Sequence, residues 1–430
     1  MTGKITYLDG LRGIAAVNVM IMHFFVALAP AMVYGSQLPS HFGNLDLLFS
    51  STPLGLIGAG NFSVSIFFVL SGYVLTQKYF ETKENSVIIS SAVRRYLRLF
   101  VPVFAAVMLS YLLASAGLYR YYLETMVISA GSNYRDYWNF TPDIVNAVKQ
   151  AVWGSFFVGG KTAYNPVLWT MKIEFFGSML VFAMALLFGS LRNRFIFYLA
   201  AAVLFLNSFY LGFIIGMVLA DTSSSKMPVL KTGNKTGNKT GNKTGNKTGN
   251  KTGNKTILSI ILILGLFLGS YPLSPVTTDS LYGFLNNGLF KTPEVTYHII
   301  GSGMTIFVLL NSRMLQNFFS SPVPVFLGKI SYSLYLIHFL VISSFTCAVF
   351  LVLYPALPYG AAALISCFLS LFLIIPLSYL FYKYVDTVGV EFSKLFYNWL
   401  VNSCRPGGAG HLKKEHLSSA IFTIYNKFFK

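Results

Sequence analysis

The sequence is poor in charged residues. Asp, Glu, Lys and Arg together make up 11% of the 430 residues, whereas soluble globular domains carry about 25%. Acidic residues are fewer than basic ones: the chain has 14 Asp and Glu and 32 Lys and Arg, which gives a formal net charge of +18. Hydrophobic residues reach 54%, and the mean hydropathy is +0.61. This balance excludes an ordinary soluble domain and indicates a polytopic membrane protein.

Cysteine is also scarce, which limits the chemistry that the chain can carry. The three cysteines are Cys347, Cys367 and Cys404, an odd and scattered set that forms neither a disulfide framework nor a metal site. We therefore predict no metal. In a soluble chain the basic charge would suggest nucleic acid, but in a membrane protein it indicates Lys and Arg gathered on one face. We predict no nucleic-acid partner.

Apolar runs long enough to cross about 30 Å of hydrocarbon predict an all-α bundle of about ten transmembrane spans. They lie near 13–33, 62–80, 99–118, 166–188, 195–207, 209–220, 257–271, 297–312, 332–353 and 360–382. With the N-terminus inside, 26 of the 32 Lys and Arg fall in segments assigned to the cytoplasm and five on the other side. The positive-inside rule thus favours ten spans with both termini cytoplasmic.

Low-complexity sequence interrupts the apolar domain of residues 1–390. Six tandem copies of Lys-Thr-Gly-Asn run from Lys231 to Asn254. They offer no apolar side chain to bury, so we predict a disordered cytoplasmic linker over 222–256. Residues 391–430 form a basic tail, which we also predict to be cytoplasmic.

His23 is the ionisable residue that interrupts the first apolar run, which opens with Asp9 and Arg12. It lies ten residues beyond Gly13, about 15 Å along a helix. A histidine at that depth is either a general base or a structural residue bonded to a neighbouring helix, and the residues alone leave both open. Asp9 and Arg12 lie three residues apart on one helical face and would also serve as an interfacial anchor.

Two further motifs carry charge into or beside predicted spans. Arg95 and Arg98, in Arg-Arg-Tyr-Leu-Arg, are spaced to present two guanidinium groups to one anion, although a positive-inside anchor has the same pattern. Glu174 lies eight residues into the fourth span, and its depth favours a functional carboxylate. The ninth span begins near Tyr332 and carries a second membrane histidine, His338.

Together these motifs resemble the membrane-bound acyltransferase-3 family. The matching stretches are Leu-Asp-Gly-Leu-Arg-Gly (8–13) with His23, Phe-Phe-Val-Leu-Ser-Gly-Tyr (67–73), Arg-Arg-Tyr-Leu-Arg-Leu (94–99), Leu-Trp-Thr-Met-Lys-Ile-Glu (168–174) and Gly-Lys-Ile-Ser-Tyr-Ser-Leu-Tyr-Leu-Ile-His (328–338). Their fixed order over nearly the whole chain makes the resemblance more specific than any one motif.

The resemblance implies an O-acetyltransferase that moves an acetyl group from cytosolic acetyl-CoA to a hydroxyl of an envelope saccharide such as lipopolysaccharide O-antigen. It implies that His23 and Glu174 are catalytic and that Arg12, Arg95 and Arg98 bind the donor, with Asp9, Tyr332 and His338 in support. Acetyl-CoA would be a substrate rather than a resident cofactor. The implied location is the bacterial inner membrane. Direct transfer and an acyl-enzyme relay both stay open.

A second function class fits several of the same residues. A proton-coupled transporter of a small solute would also carry a buried histidine and a buried carboxylate within its spans. The sequence shows no paired Gly/Pro-broken helices at matching positions in two halves, which such folds often have. Thioester consumption by the purified protein would distinguish the enzyme from the transporter.

Overall fold

A computed structural model describes residues 5–130, 137–159, 162–224, 247–286 and 288–403, and within them helix is the only regular structure. The α-helices in chain order are α1 (Thr6–Leu28), α2 (Ala31–Tyr34), α3 (Leu45–Ser51), α4 (Gly60–Thr82), α5 (Asn85–Ser115), α6 (Arg120–Ile128), α7 (Ile144–Lys149), α8 (Trp169–Phe188), α9 (Arg194–Leu204), α10 (Tyr210–Ser224), α11 (Lys247–Gly269), α12 (Pro293–Asn311), α13 (Arg313–Phe319), α14 (Pro322–Val341), α15 (Cys347–Leu353), α16 (Tyr359–Phe381) and α17 (Thr387–Ser403).

Short segments of other helical types join or flank these elements. Those of 3₁₀ type include Gly35–Gln37, Pro53–Leu56, Pro166–Leu168 and Gly283–Leu285. Three are π-helical, at Gln150–Val158, Ile342–Thr346 and Tyr382–Asp386. The last two π segments continue the helix on either side, so that Pro322–Leu353 and Tyr359–Ser403 are each one unbroken helical rod.

Six helices in the described part of the chain are long and apolar enough to cross a membrane. They are Thr6–Leu28, Asn85–Ser115, Pro166–Phe188, Pro293–Asn311, Pro322–Leu353 and Tyr359–Ser403. Three shorter apolar helices, Arg194–Leu204, Tyr210–Ser224 and Lys255–Gly269, together with α4, lie at the other four predicted spans. The helical membrane fold is therefore confirmed, while the count of ten spans and the cytoplasmic termini stay predictions.

Several helix boundaries differ from those that hydropathy suggested. The ninth span was expected to begin at residue 332, but α14 begins at Pro322. The first span was expected at 13–33, but α1 begins at Thr6 and ends at Leu28, just before Pro30. The third was expected to begin at residue 99, but α5 begins at Asn85. The apolar run of the sequence is interrupted by Arg94, Arg95 and Arg98. The helix continues through them, because these side chains find partners within the fold. All three arginines therefore lie inside a 31-residue helix.

The predicted linker at 222–256 overlaps a helix at each end. Helix α10 continues to Ser224, and α11 begins at Lys247, inside the repeat. Residues 225–246 lie outside the described residues, as do residues 404–430 of the predicted basic tail.

The chain divides into two compact units, and the first comprises Met1–Lys83 and Ala183–Lys329. Its most extensive helix contact joins α4 to α10. A methyl group at Gly72 would lie 2.1 Å from the carbonyl oxygen of Phe213, and one at Gly216 would lie 2.0 Å from that of Val69. Small residues at these positions let the two backbones meet, which explains the glycine in the 67–73 motif.

The second unit comprises Glu84–Phe182 and Ile330–Lys430. Its 31-residue helix α5 packs along α17, where Gly389 lies against Val101 and Pro102. Tyr335 of α14 donates a hydrogen bond to the carbonyl oxygen of Val167 at 2.9 Å, and Asn165 donates one to that of Leu336 at 2.9 Å. These hydrogen bonds join α14 to the segment that leads into α8.

Candidate active site

His23 lies on α1 of the first unit, and its side chain is partly exposed. Its Nδ1 is 2.9 Å from the backbone carbonyl oxygen of Val19, one turn earlier. A carbonyl oxygen can only accept a hydrogen bond, so Nδ1 carries the proton of the neutral ring. In the neutral ring the lone pair is therefore on Nε2, which is the basic nitrogen of this tautomer.

The segment that faces α1 near His23 is held by Asn18, a residue that the sequence analysis did not single out. The Asn18 amide nitrogen donates to the carbonyl oxygen of Leu56 at 3.1 Å and to Ser63 Oγ at 3.0 Å, and its Oδ1 accepts from the Gly58 N–H at 2.8 Å. One side chain thus fixes both the loop before α4 and the first turn of α4 against α1. Its polarity inside an apolar run was the available signal.

Asp9 and Arg12 lie on the first turns of α1, and their side chains form an i, i+3 pair at 3.9 Å. The two glycines of the same motif make a close backbone contact. A methyl group at Gly10 would lie 1.8 Å from the Phe319 carbonyl oxygen, and one at Gly13 would lie 2.3 Å from the Gly328 nitrogen. The glycines are therefore required for α1 to meet the α13–α14 junction, and the 8–13 motif meets the start of the 328–338 motif there.

Arg95 and Glu174 form an ion pair within the second unit. Their side chains are only 13% and 14% exposed, and Arg95 Nε also donates to Ser178 Oγ at 2.8 Å. The motif resemblance assigned Arg95 to the donor and Glu174 to the catalytic site, but nothing in the sequence connected the two. Lys172, two residues before Glu174, donates to the carbonyl oxygen of Val158 at 3.0 Å.

Arg98, one turn along α5, forms an ion pair with Asp386 at the end of the π segment Tyr382–Asp386. The Arg98 guanidinium lies 5.7 Å from the centre of the Tyr332 ring, and the Tyr332 hydroxyl donates to the carbonyl oxygen of Leu99 at 3.2 Å. The Asp386 side chain is 7% exposed and that of Arg98 is 30% exposed. Asp386 is a site residue that the sequence analysis missed, because hydropathy placed it beyond the last span.

His338 lies on α14 of the second unit and is fully buried. Its Nδ1 is 2.8 Å from the carbonyl oxygen of Leu334, so its neutral ring holds the same tautomer as that of His23. Tyr335, on the preceding turn, shares a 2.9 Å hydrogen bond with Thr170 Oγ1. These bonds join the 328–338 motif to the 168–174 motif.

The structure thus gathers the predicted site residues into two groups. The first unit holds Asp9, Arg12 and His23, and the second holds Arg95, Arg98, Glu174, Tyr332 and His338. Within the described ranges, no group of three or more His, Cys, Asp or Glu side chains is placed to hold a metal ion.

Comparisons with known proteins agree on one chemistry. A family model described as an acyltransferase domain matches residues 5–383. The chain is 27% identical to acyltransferase clz18 of Cochliobolus lunatus over 407 residues, which cover 79% of this chain and 83% of that protein. It is 23% identical to acyltransferase R4 of a Phoma species over 410 residues, covering 79% and 83%.

The name of a third relative specifies an acetyl group that is transferred to an oxygen atom. The chain is 29% identical to O-acetyltransferase PaAT-1 of Phomopsis amygdali over 232 residues, which cover 48% of this chain and 45% of that protein. No solved structure matches the chain at a significant level.

Proposed function

Because the chain belongs to the acyltransferase-3 family, we propose that it moves an acetyl group from cytosolic acetyl-CoA to a hydroxyl of a cell-envelope saccharide. The observation that carries the proposal is the tautomer of His23, whose Nδ1 bond to Val19 leaves the lone pair on Nε2. The family match makes the chain an acyltransferase. The printed name of the Phomopsis relative supports acetyl as the acyl group.

His23 acts as the general base of this reaction. Its Nε2 takes the proton from the acceptor hydroxyl while the oxygen attacks the thioester carbonyl carbon. The carbon–sulfur bond then breaks, and the thiolate of coenzyme A takes a proton as it leaves. A relay is the alternative order of events. Nε2 first attacks the thioester carbonyl carbon, the carbon–sulfur bond breaks, and coenzyme A leaves with a proton. The acceptor oxygen then attacks the acetyl carbon, the nitrogen–carbon bond breaks, and the hydroxyl proton replaces the one that left with coenzyme A.

The arginines of α5 form the donor end of the site in this proposal. Coenzyme A carries several phosphate charges, and a guanidinium group binds phosphate through paired N–H donors. Arg95 and Arg98 already face carboxylates, so an incoming phosphate shares each guanidinium rather than neutralising a lone charge. Arg12, which lies 3.9 Å from the Asp9 carboxylate, is the third arginine that binds acetyl-CoA in this proposal.

The assignment of a cell-envelope saccharide as the acceptor, and of the bacterial inner membrane as the location, rests on the motif resemblance alone. The three relatives are fungal proteins, and lipopolysaccharide O-antigen is a bacterial molecule. The relatives therefore add no support for the O-antigen or for the bacterial inner membrane. An envelope saccharide remains the first acceptor to test, and a small secreted glycoside is the second.

Purified protein with acetyl-CoA labelled in the acetyl group tests the proposal. We expect thioester consumption that depends on an added saccharide, together with a labelled ester on that saccharide. Comparing envelope glycans from cells with and without the gene identifies the acceptor by the loss of one acetyl mass. Uptake of a solute by vesicles without thioester cleavage would overturn the proposal in favour of transport.

A further inference from the structure

Asp386 is an acidic residue at a nearly buried position, outside the matched family range of residues 5–383. Its carboxylate meets the Arg98 guanidinium. A charge removed from water is costly unless it is paired and hydrogen-bonded. The pair therefore fixes the Asp386 carboxylate, whose charge could not be buried at low cost without the Arg98 guanidinium.

The local backbone places Asp386 at this point. It ends the five-residue π segment between α16 and α17, and such segments often occur at functional sites. Just beyond it, Gly389 lies against Val101 and Pro102 of α5, so α17 contacts α5 one turn past Arg98. The wider turn and the glycine together bring the Asp386 carboxylate to the arginine.

The Arg98 guanidinium is held on two sides. Asp386 takes the Nη1 edge, and the Tyr332 ring lies 5.7 Å from the guanidinium carbon. A guanidinium has five N–H donors in a planar fork, so one carboxylate leaves donors on the remaining edges for a second anion. The Arg98 side chain is 30% exposed, against 13% for Arg95, which also bonds Ser178. Arg98 is thus the more accessible of the two motif arginines.

We infer that Asp386 is a positioning residue that orients Arg98 to bind a phosphate of the acyl-CoA donor. The inference rests on the proposed function, since it takes acetyl-CoA as the donor. Asp386 does not touch the reacting atoms. It fixes the plane of the guanidinium before the donor arrives, which lowers the entropy lost on binding.

The experiment compares two donors on the purified full-length protein. Acetyl-CoA carries the phosphates, and S-acetyl-pantetheine carries the same thioester without them. For Asp386→Asn we expect the KM for acetyl-CoA to rise about tenfold, the loss of one charge-assisted hydrogen bond, with kcat little changed. The KM for S-acetyl-pantetheine should not move. Asp386→Glu keeps the charge and should give a KM between those of wild type and Asp386→Asn.

A double-mutant cycle and a matched control complete the design. Arg98→Gln should raise the KM for acetyl-CoA as Asp386→Asn does, and the double variant should add little to either, because the two residues act as one unit. Asp221 is the control: it is a buried acid paired with Arg194 in the first unit. Asp221→Asn should lower stability and leave both KM values unchanged.

The outcomes test the acetyltransferase function and the positioning role of Asp386 separately. If wild-type protein does not cleave acetyl-CoA, the proposed function fails. If wild type does so but Asp386→Asn changes neither KM, or changes both equally, the positioning role is overturned and Asp386 is structural. Should Asp386→Asn fail to fold, Asp386→Glu decides by the same comparison of the two donors.

Discussion

Glu174 of α8 and Arg95 of α5 face each other as an ion pair, 79 residues apart in the chain. Each was a separate candidate, one as a catalytic carboxylate and the other as a donor ligand. Their pairing means that neither charge is met alone by an incoming substrate. If Glu174 contacts a substrate hydroxyl, its carboxylate also binds Arg95 at the same time. If Arg95 contacts a phosphate, its guanidinium also binds Glu174.

The pair predicts a non-additive loss of stability. Glu174→Gln or Arg95→Gln alone leaves one largely buried charge without its partner, at a cost of about 3 kcal/mol. The double variant removes both charges, so it should be more stable than the sum of the single losses implies. Thermal unfolding of the four proteins in one detergent measures the cycle. Additive losses would show that the two side chains do not interact in solution.

The backbone contact of α1 predicts that its two motif glycines tolerate no side chain. In Gly10→Ala or Gly13→Ala the new methyl group would overlap the backbone at Phe319 or Gly328, so the helix must move. We expect a loss of 1 to 3 kcal/mol, about the cost of overpacking, and less folded protein in the membrane. Gly154→Ala is the control, because its methyl group would meet nothing closer than 3.6 Å. Equal yields from all three variants would contradict the contact.

The buried acid of the first unit predicts a purely structural defect. Asp221 is fully buried and accepts from Arg194 Nη2 at 3.0 Å and from the Tyr198 hydroxyl at 3.3 Å. Asp221→Asn removes the carboxylate that pairs with Arg194 and should destabilise the protein by about 3 kcal/mol. Arg194→Gln combined with Asp221→Asn should recover part of that loss, and unfolding midpoints check both. An unchanged unfolding midpoint for Asp221→Asn would show that water, and not Asp221, solvates the Arg194 guanidinium.

Hydropathy located the helices well and the polar pairs poorly. The fourth predicted span, 166–188, coincides with the helical segment Pro166–Phe188, since that stretch is mostly apolar and carries only two charged residues, Lys172 and Glu174. The third was placed 14 residues late because an average over a window treats three arginines as a boundary. Charges that are paired inside a fold do not end a helix, and hydropathy has no term for a partner far along the chain.

The candidate site was found by residue type, and its contacts were not. His23, Glu174, Arg95 and Arg98 stood out because charge is rare in apolar sequence, but Asp386 follows the last apolar run among other polar residues. Its importance appears only when α16 and α17 form one rod that carries the carboxylate to Arg98. Spacing predicts neighbours on one helix, whereas contacts between helices depend on rotation and packing that one sequence does not show.

The rate of acetyl transfer by a His23→Gln variant tests the central claim most directly. A glutamine amide can donate to the Val19 carbonyl oxygen as Nδ1 does, so the helix is kept while the basic Nε2 is lost. We expect the variant to fold like wild type and to transfer acetyl groups at least about a hundredfold more slowly, with His41→Ala as a histidine control at wild-type rate. A His23→Gln protein that transfers acetyl groups at the wild-type rate would contradict the account.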